Sequence, residues 1–189
     1  PIVVVLIHGG PISWQHDGVD AILDAFYPGE LGGPAIVDVL FGDYAPSAKL
    51  PYTNYYENFT SRDIRNTNLS DDGGVTHQYF DAPVLFPFGH GLSYANFAFD
   101  DIEIIRSFSS DYFMSTNSLG HFGVSSDSIH SIYQVSVTNT GKFSSDLVVL
   151  GFVSSPRILD LDEKSVSDIR VPKQRLFDFD RLKDVQPNE

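Results

Sequence analysis

An apolar run that stops at His8-Gly9-Gly10-Pro11, "VVVLIHGGP", is the first place in this 189-residue chain where residue types suggest chemistry. A strand ending in His-Gly-Gly can present backbone N–H groups as an oxyanion hole, which predicts acyl transfer if a serine nucleophile accompanies it. The nearest candidate is Ser93 in "GLSYA", with Ala95 where the motif wants glycine. A nucleophile elbow also needs a strand before the serine and a helix after it. Here Pro87-Phe88-Gly89-His90-Gly91 precedes, and "NFAFDDIEI" follows with strand alternation, so the context does not suit an esterase. His121 and His130, the available bases, have no orienting acid at a recognisable spacing. The plain alternative is that His8-Gly9-Gly10 is a tight turn after a buried strand.

Histidine is the commonest metal ligand, but none of the six histidines forms an HxH or HExxH pattern. With no cysteine, thiolate metal sites and disulfides are excluded, and no cofactor motif is present. His8, His16, His77 and His90 read as hydrogen-bonded or solvent-facing, and Asp20, Asp24, Glu30, Asp38 and Asp43 as solvated or capping carboxylates. Two acceptor triplets, Asn58-Phe59-Thr60 and Asn68-Leu69-Ser70, fall in the polar stretch between Asn54 and Gly74 and predict N-glycosylation of a secreted protein. The formal charge of −13 repels nucleic acid and anionic membrane surfaces, which favours neutral substrates. No apolar run approaches the roughly 20 residues that span a bilayer. The chain begins at Pro1 inside a strand pattern, which leads us to expect more protein upstream.

These residues need elements to hold them. Ile2–Ile7 is a continuous β-branched run, the pattern of a strand buried on both faces. Val19–Phe26 reads as a second strand, Tyr27-Pro28-Gly29 as its breaker, and Gly33–Phe41 as a helix that Gly42 ends. From Asn96 the grammar is β. Tyr133, Val135 and Val137 alternate with polar residues, Asn139-Thr140-Gly141-Lys142 is a turn, and Leu147–Val153 is the next strand, which predicts a hairpin in a sandwich of which four strands are countable. Residues 106–131 are serine-rich and read as a long loop.

Three stretches together resemble one family. "GVDAILDAFYPGELGGPAIVDVLFGDYAPSAKLPYT" (Gly18 to Thr53) is similar to a segment of the family 3 glycoside hydrolases. "HQYFDAPVLFPFGHGLSYANF" (His77 to Phe97) resembles the aromatic signature that closes the same domain. "VSVTNTGKFSSDLVVLGFV" (Val135 to Val153) and "VPKQRLFDFDRLKDVQP" (Val171 to Pro187) resemble the fibronectin III-like domain that follows it. The order is the family's order. "SSDLVVLGFV" and "PKQRLFDFDRL" resemble the β-xylosidase branch more than the β-glucosidase branch.

The fold implied is α/β plus all-β: part of a doubly wound α/β sandwich over residues 1–95, then an incomplete fibronectin III-like β-sandwich over 96–189, cut at both ends. Gly32 and Gly33 would let the helix start pack closely, and Phe86, Phe88, Tyr94 and Phe97 would bury aromatic surface where the domains meet. The function implied is that of a retaining, exo-acting β-glycosidase of plant cell-wall oligosaccharides, β-xylosidase-like. Such chemistry needs two carboxyl groups roughly 5 Å apart. The resemblance places both, an aspartate nucleophile in a barrel domain and a glutamate acid/base, upstream of residue 1, so this chain alone is expected to be inactive. Trp14 and Asp17, in the first loop, are its candidates for approaching a saccharide. The competing readings are a non-catalytic scaffold or carbohydrate-binding protein that keeps these domains, and the Ser93 esterase.

Overall fold

The computed structural model describes residues 1–13, 17–107, 131–154 and 171–188, with the side chains of residues 105–107 and 131 left aside. Strand β1 (Val3–Leu6) pairs in parallel with β2 (Ala21–Asp24), Val3 opposite Ala21 and Leu6 opposite Asp24. A parallel pair cannot be closed by a tight hairpin, and here residues 7–20 separate the two strands in the sequence. The pairing is extended at both ends, by Asp20 N–H to the Ile2 carbonyl and by His8 N–H to the Phe26 carbonyl. β1 is not buried on both faces as its composition predicts. Val3 is exposed and Val4, Val5 and Leu6 are half-buried, because only β2 lies beside the strand among the described residues.

Helix α1 (Gly32–Phe41) follows, and Gly42 ends it in the left-handed region at φ 87°, its N–H reaching the Asp38 and Val39 carbonyls. Close packing at the start of α1 belongs to Gly32 alone. A Cβ there would lie 2.6 Å from the Pro28 ring, whereas one on Gly33 would meet nothing within 4 Å. A short 3-10 helix (Glu57–Ser61) and α2 (Thr76–Tyr79) interrupt the polar stretch. Residues 50–54 run antiparallel to 85–90: Leu50 N–H bonds the His90 carbonyl, Gly89 N–H the Leu50 carbonyl, and Asn54 N–H the Phe86 carbonyl. Through this pairing the Leu50–Asn54 segment and the Phe86–His90 segment satisfy each other's backbone groups.

Beyond residue 96 the described residues hold β3 (Phe97–Phe99), β4 (Glu103–Ser107), β5 (Ser131–Gln134), β6 (Val137–Asn139), β7 (Ser145–Ser154) and β8 (Gln174–Val185). This exceeds the four strands countable from sequence, and the expected hairpin across Asn139–Lys142 does not form. β6 pairs with β3, β5 with β4, and β7 with β8, all antiparallel. The reason lies in Asn139. It is fully buried, and its side chain donates to the Phe143 and Val185 carbonyls and accepts from Gly141 N–H, so the turn is folded around an amide instead of linking two ladders. The serine-rich segment lies outside the described residues between 108 and 130.

The aromatic signature divides. Phe88 meets Phe152 of β7 edge to face at 6.1 Å, and Phe97 lies in the groove beside Leu147 and Val148. Phe86 instead packs on His90 at 5.0 Å, and Tyr94 turns away to donate its hydroxyl to the Val39 carbonyl of α1.

Candidate functional site

The carboxyl ends of parallel strands are where open α/β sheets bind ligands. At that end of β1 and β2, His8 Nε2 stands 2.8 Å from Asp24 Oδ1, with the imidazole only 9% exposed. The two groups touch without the alignment of a hydrogen bond, and neither ring nitrogen has a hydrogen-bond partner. Tyr52 donates its hydroxyl to the other Asp24 oxygen at 3.1 Å. Burial, then the Asp24 charge and this hydrogen bond, push the Tyr52 phenol up to about 12. Phe26 closes the group, 5.3 Å from the His8 ring and 5.9 Å from Tyr52, with its backbone in the left-handed region at φ 52°. His8 is therefore buried against a carboxylate, and Asp24 is neither solvated nor a cap. Asp20 does cap, accepting from Ile2 N–H at 2.6 Å. The sequence marks both strands but not their pairing, and it is the parallel register of β1 and β2 that brings His8, just past β1, against Asp24 at the end of β2.

The oxyanion-hole geometry is absent. Gly9 is in a bend under the Tyr27 ring, where a Cβ would come within 2.5 Å of the Tyr27 hydroxyl. Ser93 lies 3.1 Å from the Ser145 hydroxyl, which itself donates to the Asp146 carbonyl, so Ser93 is the donor between them. No strand leads directly into Ser93, β3 and not a helix follows it, and its φ is not positive. Ser93 is a structural hydroxyl, not an elbow nucleophile. His121 and His130 lie outside the described residues, as do Trp14 and His16. Asp17 is exposed in the turn that leads to β2. Among the described residues no group of three or more His, Asp or Glu is placed to hold a metal ion, and no helix is long and apolar enough to cross a membrane.

A second polar constellation joins the segment after α1 to the β7–β8 ribbon. Arg181 of β8 reaches Asp146 of β7 with Nε at 2.8 Å, and donates to the Tyr44 hydroxyl at 2.9 Å and to Ser47 at 3.2 Å. Asp184 N–H, and then Arg181 and Tyr44, hold the Asp146 carboxyl below the usual carboxylate range. Sequence reasoning missed this cluster, because its members lie in segments separated by up to 137 residues. Beside it, Ser47, Lys49, Ser93, Phe97 and Asp146 line an open groove of about 320 Å³. Each acceptor in Asn58-Phe59-Thr60 and Asn68-Leu69-Ser70 is exposed.

A parallel strand pair with its helix, followed by antiparallel β pairs fastened to it through polar and aromatic contacts, defines an α/β unit carried together with β structure. The chain belongs to glycosyl hydrolase family 3: the family model described as the glycosyl hydrolase family 3 C-terminal domain matches residues 1–94. Among curated proteins, it is 32% identical over 193 residues to thermostable beta-glucosidase B of Acetivibrio thermocellus, a match covering 96% of this chain and 22% of that protein. It is 40% identical over 105 residues to xylan 1,4-beta-xylosidase of Xylanibacter ruminicola, covering 54% of this chain and 12% of that one. Among solved structures, beta-glucosidase D2-BGL of Chaetomella raphigera superposes with a TM-score of 0.76 at 25% identity, covering 99% of this chain and 26% of that chain. The chain thus spans about a quarter or less of the relatives it matches.

Proposed function

We propose that the protein to which this chain belongs is a secreted, retaining, exo-acting β-glycosidase that removes terminal sugars from plant cell-wall oligosaccharides, with β-xylosides preferred. The observation that carries this reading is the match along nearly the whole chain to family 3 glycosidases, in one order. Residues 1–95 act as part of the doubly wound α/β domain and 96–189 as a fibronectin III-like domain. The nucleophile aspartate and the acid/base glutamate stand upstream, in and after a barrel domain, so this chain supplies rigid support and not the reacting pair. Exposed apolar residues such as Ile2, Ile7, Tyr27, Leu31 and Phe41 offer surface on which such a domain can pack. In this reading Trp14 and Asp17 are the substrate-proximal residues of this chain. The xyloside preference is supported by Ser144–Val153 and Pro172–Leu182, the two branch-like segments, which contribute most of β7 and β8.

The test is kinetic. The product of the complete reading frame is assayed on aryl β-xyloside and aryl β-glucoside, with product configuration followed by NMR. We expect retention, a higher kcat/KM on the xyloside, no turnover by residues 1–189 alone, and a raised KM in Trp14→Ala and Asp17→Ala. Inversion, or turnover by residues 1–189 alone, would overturn the reading. Saccharide binding without turnover by the complete protein would establish the non-catalytic alternative instead.

A further inference from the structure

The two glycosylation triplets share a motif but not a conformation. Asn68 heads an Asx turn: its side-chain carbonyl accepts from Ser70 N–H at 3.1 Å and from the Ser70 hydroxyl at 2.9 Å. The turn is reinforced locally. Asn68 N–H bonds Asn66 Oδ1 at 3.0 Å, Asn68 Nδ2 donates to Asp71 Oδ1 at 2.7 Å, and the Arg62 guanidinium gathers the Asn68 and Asp71 carbonyls at 2.8 and 2.6 Å. Every partner lies within nine residues along the chain, so the turn can form before the rest of the fold. Asn58 lies in the 3-10 helix Glu57–Ser61. There Thr60 gives its hydroxyl to the Glu57 carbonyl at 2.7 Å, and Phe59 is stacked on Tyr55 at 3.7 Å and set edge-on to Phe80. Side chains two apart on a helix do not face each other, so Thr60 cannot meet the Asn58 amide until the helix unwinds. Both asparagines are exposed, and space for a glycan does not separate them.

We propose that Asn68, and not Asn58, is the asparagine of this protein that carries an N-linked glycan. The acceptor motif demands a hydroxyl two residues on, which points to a recognised conformation with that hydroxyl turned back to the carboxamide. Ser70 already does this. In the transfer, Asn68 Nδ2 attacks the anomeric carbon of a lipid-pyrophosphate-linked oligosaccharide. The bond from that carbon to the pyrophosphate oxygen breaks, and its electron pair leaves with the lipid pyrophosphate. One amide proton passes to a base of the transferase. The product amide keeps one N–H as a donor and its carbonyl oxygen as the acceptor for Ser70, so the turn retains its hydrogen-bonding groups.

The proposal rests on the secretory reading above, and the two are tested on the same samples. The complete protein, secreted from a eukaryotic host, is deglycosylated enzymatically in ¹⁸O water and its peptides are weighed. We expect ¹⁸O at residue 68 and none at residue 58. Asn68→Gln and Ser70→Ala should each lose one glycan by intact mass, Ser70→Thr should keep it, and Asn58→Gln should lose none. Label at residue 58 alone, at both in equal measure, or at neither in secreted protein overturns the proposal. A glycan on Asn68 in a protein that hydrolyses no aryl glycoside defeats the glycosidase reading and supports this one; turnover with bare Asn68 does the reverse.

Discussion

Asp24 shows how far one carboxylate sets the properties of its neighbours. Burial disfavours the phenolate of Tyr52, and the Asp24 carboxylate to which it donates adds a second negative charge beside it, so the phenol is pushed up to about 12. A raised acid pKa means that the folded state holds its proton more tightly than the unfolded state does. The contribution is therefore full below pH 10 and is lost as pH rises through the folded value. Ultraviolet difference titration should show one late-ionising tyrosine that disappears in Tyr52→Phe; a spectrum unchanged by that substitution would contradict the geometry. Asn139 makes the opposite case, a neutral side chain that is fully buried yet fully used. Asn139→Ala strands Gly141 N–H and the Phe143 and Val185 carbonyls. At about 1–3 kcal/mol for a buried unsatisfied group, with some rescue by water, we expect a loss of about 3 kcal/mol in urea unfolding. A loss below about 1 kcal/mol would mean that the three groups find other partners.

At the level of elements, α2 is held by few contacts, and they are distinctive. Thr76 begins it in the left-handed region at φ 63°, strained for a β-branched residue, with its N–H bonded to the Tyr55 hydroxyl. His77 stacks on Phe88 at 4.3 Å and meets Phe152 edge-on, while Lys173 bonds the Gln78 carbonyl through its backbone N–H and the Phe80 carbonyl through its ammonium. Burial, and then the Lys173 charge, lower the His77 pKa below 6.5. The folded state thus resists a proton that the unfolded state accepts, and stability falls as pH drops from 6.5 toward the folded value. Hydrogen exchange of residues 76–80, corrected for intrinsic rate, should quicken over that range, and the slope should flatten in His77→Phe. An equal slope in the variant would exclude His77 as the cause. Much at this scale was legible in the sequence. The apolar run, the Tyr-Pro-Gly breaker and Gly42 mark β1, β2 and α1, because strand composition and a left-handed cap are local properties. Partner choice was not legible. The alternation of Tyr133, Val135 and Val137 announces strands but not that β6 seeks β3 while β7 seeks β8, a choice made by Asn139 and by long-range register. The His8–Asp24 pair depended on β1 and β2 being parallel neighbours, which only the fold fixes.

For the whole molecule, the question is what keeps the α/β part and the β part from drifting apart in a chain with 25 acidic and 12 basic residues. Asp146 and Arg181 stand at the seam with Tyr44 and Ser47, and the pair is more than a surface ornament. Arg65–Asp63 is a contact two residues apart in an exposed loop, so it ties nothing together. Asp146 is largely shielded at 17% side-chain exposure, and it also takes Asp184 N–H at 2.9 Å. Its carboxyl is held below the ordinary 3.8, so its contribution is present above that value and lost as pH falls through the folded one. Protonation removes the charge that Arg181 and the backbone N–H favour. A double-mutant cycle with Asp146→Asn and Arg181→Met should return a coupling of about 1 kcal/mol at pH 7, since Arg181 is half exposed and solvent weakens the attraction. The coupling should shrink toward zero at pH values where Asp146 is protonated. The same cycle in Arg65 and Asp63 should show far less at either pH. Because Tyr44 and Ser47 share the guanidinium, Arg181→Met should also broaden thermal unfolding by loosening the seam, while Asp63 variants leave its width unchanged. Coupling that persists undiminished in acid would show that Arg181 holds the two parts together through packing of its stem and not through charge.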